Sequence, residues 1–94
     1  MTPKQGFHLG RTLGGLREAV NRQDASLAKA FAEDVKEHLE KWSANAHSTQ
    51  VTTHVEEILD LIESQDYKLG QEDWEYIDQQ HQHIVETVDN YLAH

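Results

Sequence analysis

Apolar residues recur at helical spacing in four separate blocks of the chain, and no block alternates with the period of two that is typical of a strand. Thr2 and Pro3 precede the first block, and these residue types are typical of a helix N-cap and of the first helical position. The spacing therefore predicts a first helix over residues 3–22. Its apolar stripe consists of Leu9, Leu13, Leu16 and Val20.

The second and third blocks differ in the phase of their apolar residues. Asp24 is a suitable N-cap for a second helix over residues 25–43. A third stripe begins at Val51, and its heptad phase is displaced by two residues from that of the second. One straight helix would turn its apolar face away from the core, so the phase shift predicts a break within residues 43–49. We expect a third helix over residues 49–63.

The fourth block has the most regular spacing of all and predicts a helix over residues 71–92, after a loop that begins at Ser64. Acidic residues fill its first turn, where a helix N-terminus favours negative charge. Four amphipathic helices joined by short loops indicate an all-α fold, an antiparallel four-helix bundle that forms one domain over residues 1–94. The stripe of the fourth helix consists of Trp74, Ile77, His81, Ile84, Val88 and Tyr91.

The composition excludes several classes of protein. The chain of 94 residues contains no Cys, which rules out disulfides, thiolate metal sites and cysteine nucleophiles. Its first twenty residues lack the apolar run of a signal peptide, and no segment approaches the length of a membrane span. We therefore expect a cytoplasmic protein.

Charge is distributed unevenly along the chain, whose formal net charge is -9. Residues 1–31 carry five basic and two acidic side chains, whereas residues 32–94 carry three basic and fifteen acidic ones. The acidic part repels nucleic acid and attracts cationic proteins. The charge pattern therefore predicts another protein as the partner and no nucleic acid, and the lack of a membrane-spanning segment predicts no membrane.

Glycines form a strip along the first helix at Gly6, Gly10 and Gly14. Each glycine inside a helix costs about 0.8–1 kcal/mol relative to alanine, so close approach of another helix is expected to offset them. That helix could belong to the bundle, to a partner or to a second copy in a homodimer. Phe7 projects away from the apolar stripe beside Arg11, where it is either an anchor for a partner or a lid that folds back.

Two histidines fall on predicted apolar stripes, each one turn after an acid: His38 after Asp34, and His81 after Asp78. If helices 2 and 4 faced each other, the four side chains could form a tetrahedral zinc site. The alternative is that they are core histidines bonded to the neighbouring acids, in which case stability should depend on pH between about 5 and 8. We favour the alternative and predict no metal and no cofactor. The histidines interpreted as surface residues are His47, His54 and His83.

Catalytic signatures are missing from the sequence, which has no G-x-S-x-G, no H-E-x-x-H and no dinucleotide or phosphate loop. The sequence therefore predicts no enzyme but a small acidic protein that acts by binding another protein, as an inhibitor, immunity-type or regulatory factor. The alternative is a homo-oligomeric assembly protein that packs through the glycine strip. The predicted contact residues are Phe7, Gly10, Arg11, Gly14, Tyr67, Glu72, Glu75 and Tyr76.

Overall fold

Four α-helices, arranged as a bundle, account for most of the chain. The computed structural model describes residues 3–41 and 46–93, with the side chains of residues 9–41 and 48–90. Each helix packs on two neighbours: α1 and α3 both contact α2 and α4. The predicted all-α antiparallel bundle is confirmed. The helices are α1 (Pro3–Arg22), α2 (Ala25–Glu40), α3 (Ala46–Ser64) and α4 (Gln71–Ala93).

The core forms where the apolar stripes of the four helices meet. Leu9 and Leu16 of α1 are fully buried, as their helical spacing predicts. Removing these stripes from water is the main favourable term that holds the helices together. Within the described residues, no helix has an apolar stretch long enough to cross a membrane. The other large side chains that are fully buried are Val35, Val51, Val55, Ile58, Ile62, Ile77 and Ile84.

The second and third blocks form two separate helices, as predicted, but both helix ends differ from the prediction, and residues 42–45 between them lie outside the described residues. α2 ends at Glu40 rather than at residue 43, because the amide of Lys41 donates to the carbonyls of His38 and Leu39 and closes the last turn. α3 begins at Ala46, three residues earlier than predicted. Its first turn is mostly polar and therefore gives no apolar signal in the sequence. Ser48, one turn before the apolar stripe begins, is nevertheless buried.

The turn between α1 and α2 follows the predicted capping. The side chain of Asp24 accepts a hydrogen bond from the Leu27 amide at 3.1 Å, which satisfies one of the free amides of α2. Gln23 has a φ of 53°, and the Asp24 amide donates to the carbonyl of Ala19 at 3.0 Å. This left-handed residue ends α1 and reverses the chain.

A second left-handed turn joins α3 to α4. Asp66 and Tyr67 have φ values of 52° and 62°, which are unusual for residues other than glycine. The Tyr67 amide donates to the Ile62 carbonyl at 3.0 Å and ends α3. At the start of α4, the Gly70 amide donates to Asp73 at 3.0 Å. The two helices are therefore held as a tight antiparallel pair.

The glycines of α1 differ in what they face. A Cβ atom added at Gly15 would lie closer than 3.0 Å to the ring of Phe31, so α2 occupies the space that a side chain would need. A Cβ atom at Gly10 or Gly14 would meet nothing within 4 Å. Among the described glycines of α1, the one that makes the close approach within the bundle is thus Gly15, which lies outside the predicted strip. Gly6 lies outside the described side chains.

Candidate functional site

An acidic groove with a volume of about 590 Å³ runs between α3 and α4, next to the loop that joins them. Two large hydrophobic side chains are exposed in the described part of the chain, Tyr67 and Tyr76, and Tyr76 lines this groove. The lining therefore combines carboxylates with an accessible aromatic ring. The residues that line the acidic groove are Glu57, Asp60, Leu61, Ser64, Glu72, Asp73 and Tyr76.

Helical spacing explains why these side chains converge. Glu57, Asp60 and Ser64 follow one another at intervals of three and four residues, which places them on one face of α3. Glu72 and Tyr76 are four residues apart at the start of α4. The tight antiparallel pairing of the two helices then brings the last turns of α3 beside the first turns of α4.

Four carboxylates line the acidic groove, and no basic side chain does. The cations that bridge helices lie on other seams of the bundle: Arg17 pairs with Asp78 of α4, and Lys29 and Lys36 of α2 pair with glutamates of α3. Within the described residues, no ion pair joins α3 to α4. The groove therefore keeps its negative charge, and the unpaired amides at the start of α4 favour carboxylates there.

Tyr76 presents a neutral phenol at the edge of the acidic groove. Its hydroxyl donates to Oε2 of Glu57 at 2.9 Å, and the side chain remains partly exposed. The hydrogen bond to the Glu57 carboxylate, with a smaller effect of burial, raises the pKa of Tyr76. The ring is thus fixed beside carboxylates, an arrangement that suits a lysine or arginine side chain by charge and by cation–π contact.

Two predicted contact residues near the acidic groove do not line it. Tyr67 lies against α2, where Lys29 donates to its hydroxyl at 2.7 Å and stands 5.3 Å from the ring centroid. The hydrogen bond with Tyr67 is the main cause of a raised pKa of Lys29. Glu75 is exposed and accepts a bond of 3.4 Å from Gln71.

The predicted contact residues of α1 line two other grooves. Gly10 and Gly14 lie along an apolar groove of about 330 Å³ between α1 and α4, together with Leu13. Arg11 lines a polar groove of about 360 Å³ between α1 and α2. Phe7 lies outside the described side chains. The predicted residues whose side chains are described therefore do not form one surface: Glu72 and Tyr76 share the acidic groove, and Gly10 and Gly14 share the apolar groove.

The four candidate metal ligands do not come together: Asp34 and His38 are neighbours on α2, whereas Asp78 and His81 of α4 bind different partners on α1. α2 and α4 lie diagonally across the bundle and make no contact within the described residues, so the facing arrangement needed for a shared site is absent there. Asp34 accepts a hydrogen bond from Thr12 at 3.0 Å and lies 3.8 Å from Nε2 of His38. Asp78 pairs with Arg17.

His81 is buried between α4 and α1, where Nε2 donates to the carbonyl of Leu13 at 3.0 Å. The sequence predicts Asp78 as its partner, but that carboxylate is directed to Arg17 instead. Burial lowers the pKa of His81, and the charge of Arg17 adds to this effect, although the bond to Leu13 opposes it. His81 is therefore a neutral link between the two helices at physiological pH.

Sequence reasoning missed the α3 half of the acidic groove. Glu57 flanks the apolar stripe of its helix, and Asp60 and Leu61 follow at the spacing of one helical face. That spacing, combined with the short loop to α4, was the available signal.

Comparison of the chain with protein-family models, with curated proteins and with solved structures found no match in any of the three.

Proposed function

We propose that the protein binds a cationic segment of another protein in the acidic groove between α3 and α4, and that it acts by this binding rather than by catalysis. The observation that carries the proposal is the convergence of four carboxylates around the exposed ring of Tyr76, with no basic side chain in the lining. A partner with lysine or arginine side chains would supply the missing positive charge.

Charge and shape make different contributions to such binding. The carboxylates accelerate encounter with a basic surface and disfavour acidic ones. Tyr76 and Leu61 add apolar contact area to the lining of the acidic groove, and aromatic residues are typical of the few positions that dominate binding energy. A regulatory, inhibitory or immunity-type role is consistent with this design, since each requires only that one surface of the partner be covered.

A matched pair of variants tests the proposal. In the groove variant, Asp60→Asn and Glu72→Gln remove two charges from the lining. In the control, Glu37→Gln and Glu86→Gln remove two charges from exposed positions outside the lining. Both variants have the same net charge, so a difference between them reports on position rather than on total charge.

The measurement is capture of proteins from a cell lysate on the immobilised chain, quantified by mass spectrometry, followed by titration of a captured protein. We expect the wild type and the control to capture basic proteins that the groove variant does not. The affinity of the groove variant for such a protein should be about tenfold weaker or more. Added salt should weaken the same interactions. Equal retention by the groove variant and the wild type would refute the proposal.

Self-association through α1 is the second candidate. Its support is the apolar groove between α1 and α4, where Gly10 and Gly14 face open space beside Leu13, Val85 and Val88. A helix of a second copy could approach the α1 backbone closely there. Sedimentation of the wild type and of Gly14→Glu across the micromolar range tests this candidate: a dimer lost in the variant supports it, and a wild-type monomer rejects it.

A further inference from the structure

We propose that His54 and His83 form a binding site for a divalent transition-metal ion on the seam between α3 and α4. The two imidazole rings lie with their centroids 5.2 Å apart and their planes at 18° to each other. His54 is half-buried on α3 and His83 is exposed on α4. This inference is independent of the proposed protein partner, because the ion needs only residues of this chain and water.

The separation of the rings fits one shared ion. Zinc binds histidine nitrogen at about 2.0–2.1 Å, and two imidazoles on one tetrahedral ion then have ring centroids about 5 Å apart. The observed 5.2 Å agrees with this value. The rings are stacked with nearly parallel planes, so ligation needs the exposed ring of His83 to rotate until one of its nitrogens points at the ion, while His54 stays in place.

A hydrogen bond prepares His54 as a ligand. Its Nδ1 lies 2.5 Å from Oε1 of Gln80, and the Gln80 side chain is buried. Because a carboxamide oxygen can only accept, Nδ1 carries the proton and Nε2 keeps its lone pair. Metal-binding histidines commonly donate their second nitrogen to such an oxygen, which fixes the ring and the tautomer.

The chemistry of the pair selects the class of ion. Imidazole nitrogen suits zinc, copper and nickel, whereas magnesium and calcium prefer oxygen ligands. No group of three or more ligating side chains is assembled within the described part of the chain, so two imidazoles and water would complete the coordination. The acidic residues of the neighbouring groove raise the local concentration of cations.

Titration of the untagged protein with zinc sulfate, followed by calorimetry at pH 7.5, tests the inference. The chain has five other histidines, so the experiment must show which histidines bind zinc and not only that zinc binds. We compare the wild type with His54→Gln, with His83→Gln and with His38→Gln, a control on α2. NMR of the imidazole nitrogens in the wild type identifies which rings respond.

We expect one zinc ion per chain, an affinity at least about tenfold weaker in His54→Gln and in His83→Gln, and an affinity within about twofold of the wild type in His38→Gln. Excess magnesium should not compete, because hard cations avoid imidazole. Zinc that binds equally to the double variant of His54 and His83, that magnesium displaces, or that fails to saturate the wild type below millimolar concentration would each overturn the inference. Because His83 is exposed, its variant is expected to fold.

Discussion

The ring of Phe31 on α2 fills the space where Gly15 of α1 would carry a Cβ atom. We expect Gly15→Ala to destabilise the protein by about 1–3 kcal/mol, because either the ring or the helix must move. Urea unfolding measures the change. Substitution of Phe31 by Leu in the Gly15→Ala background should recover part of the loss, and an unchanged stability of Gly15→Ala would contradict the packing described.

In contrast to Gly15→Ala, Gly14→Ala is expected to stabilise the protein. A Cβ atom at Gly14 meets nothing within 4 Å, so alanine adds helix propensity without a clash. The free energy of unfolding should rise by up to about 1 kcal/mol. The same urea titration checks it beside Gly15→Ala. A loss of stability at Gly14 would show that its side-chain space is occupied, as it would be in a dimer that packs through α1.

His81 makes stability depend on pH with a defined sign. Its folded-state pKa is lowered below about 6.5, so the unfolded chain takes up the proton first as the pH falls. We therefore expect the free energy of unfolding to be highest above pH 6.5 and to decrease as the pH falls below this value. The charged groups near the ring are Arg17, its partner Asp78, and Asp89 at the apolar groove.

His81→Gln provides the comparison, measured by urea unfolding between pH 5 and 7.5 in metal-free buffer. Glutamine does not titrate, so the stability difference between the wild type and the variant should shrink as the pH falls. Parallel curves for the two proteins would show that His81 does not carry the dependence.

Tyr76 should ionise at higher pH than an ordinary tyrosine as long as Glu57 accepts its hydrogen bond. In Glu57→Gln the negative neighbour is lost, and we expect the pKa of Tyr76 to fall toward its usual value. Ultraviolet titration of the phenolate measures the shift. Tyr76→Phe identifies which transition belongs to this residue, and an identical titration in Glu57→Gln would contradict the bond.

Asp24→Ala is expected to cost about 1 kcal/mol, since the Leu27 amide at the start of α2 loses its acceptor. Thermal or urea unfolding measures the loss. Asp24→Asn keeps an acceptor oxygen and should retain most of the stability. Equal losses in both variants would indicate that the charge, rather than the cap, is what matters.

The periodicity of apolar residues was sufficient to predict the helices and their buried faces. It placed Leu9 and Leu16 in the core and separated α2 from α3, because both follow from local spacing. It could not place the start of α3, since the buried Ser48 is polar.

Contacts between helices were harder to predict than the helices themselves. The order of helices around the bundle separates Asp34 from Asp78, and spacing within one helix contains no information about that order. The pairing of His54 with His83 likewise depends on the register of α3 against α4. Tyr76 and Glu72 were predicted as contacts, but their carboxylate neighbours on α3 became evident only from the packing.

The seam between α1 and α2 and the seam between α3 and α4 lie on opposite sides of the bundle. The helices of the first seam, α1 and α2, together carry a formal charge of +1, whereas those of the second, α3 and α4, carry -10. The molecule is thus an electric dipole about 20 Å across, given bundle widths of 21 and 19 Å. A charged body approaching through solution would exert a torque on it and turn one preferred side forward before any atoms touch.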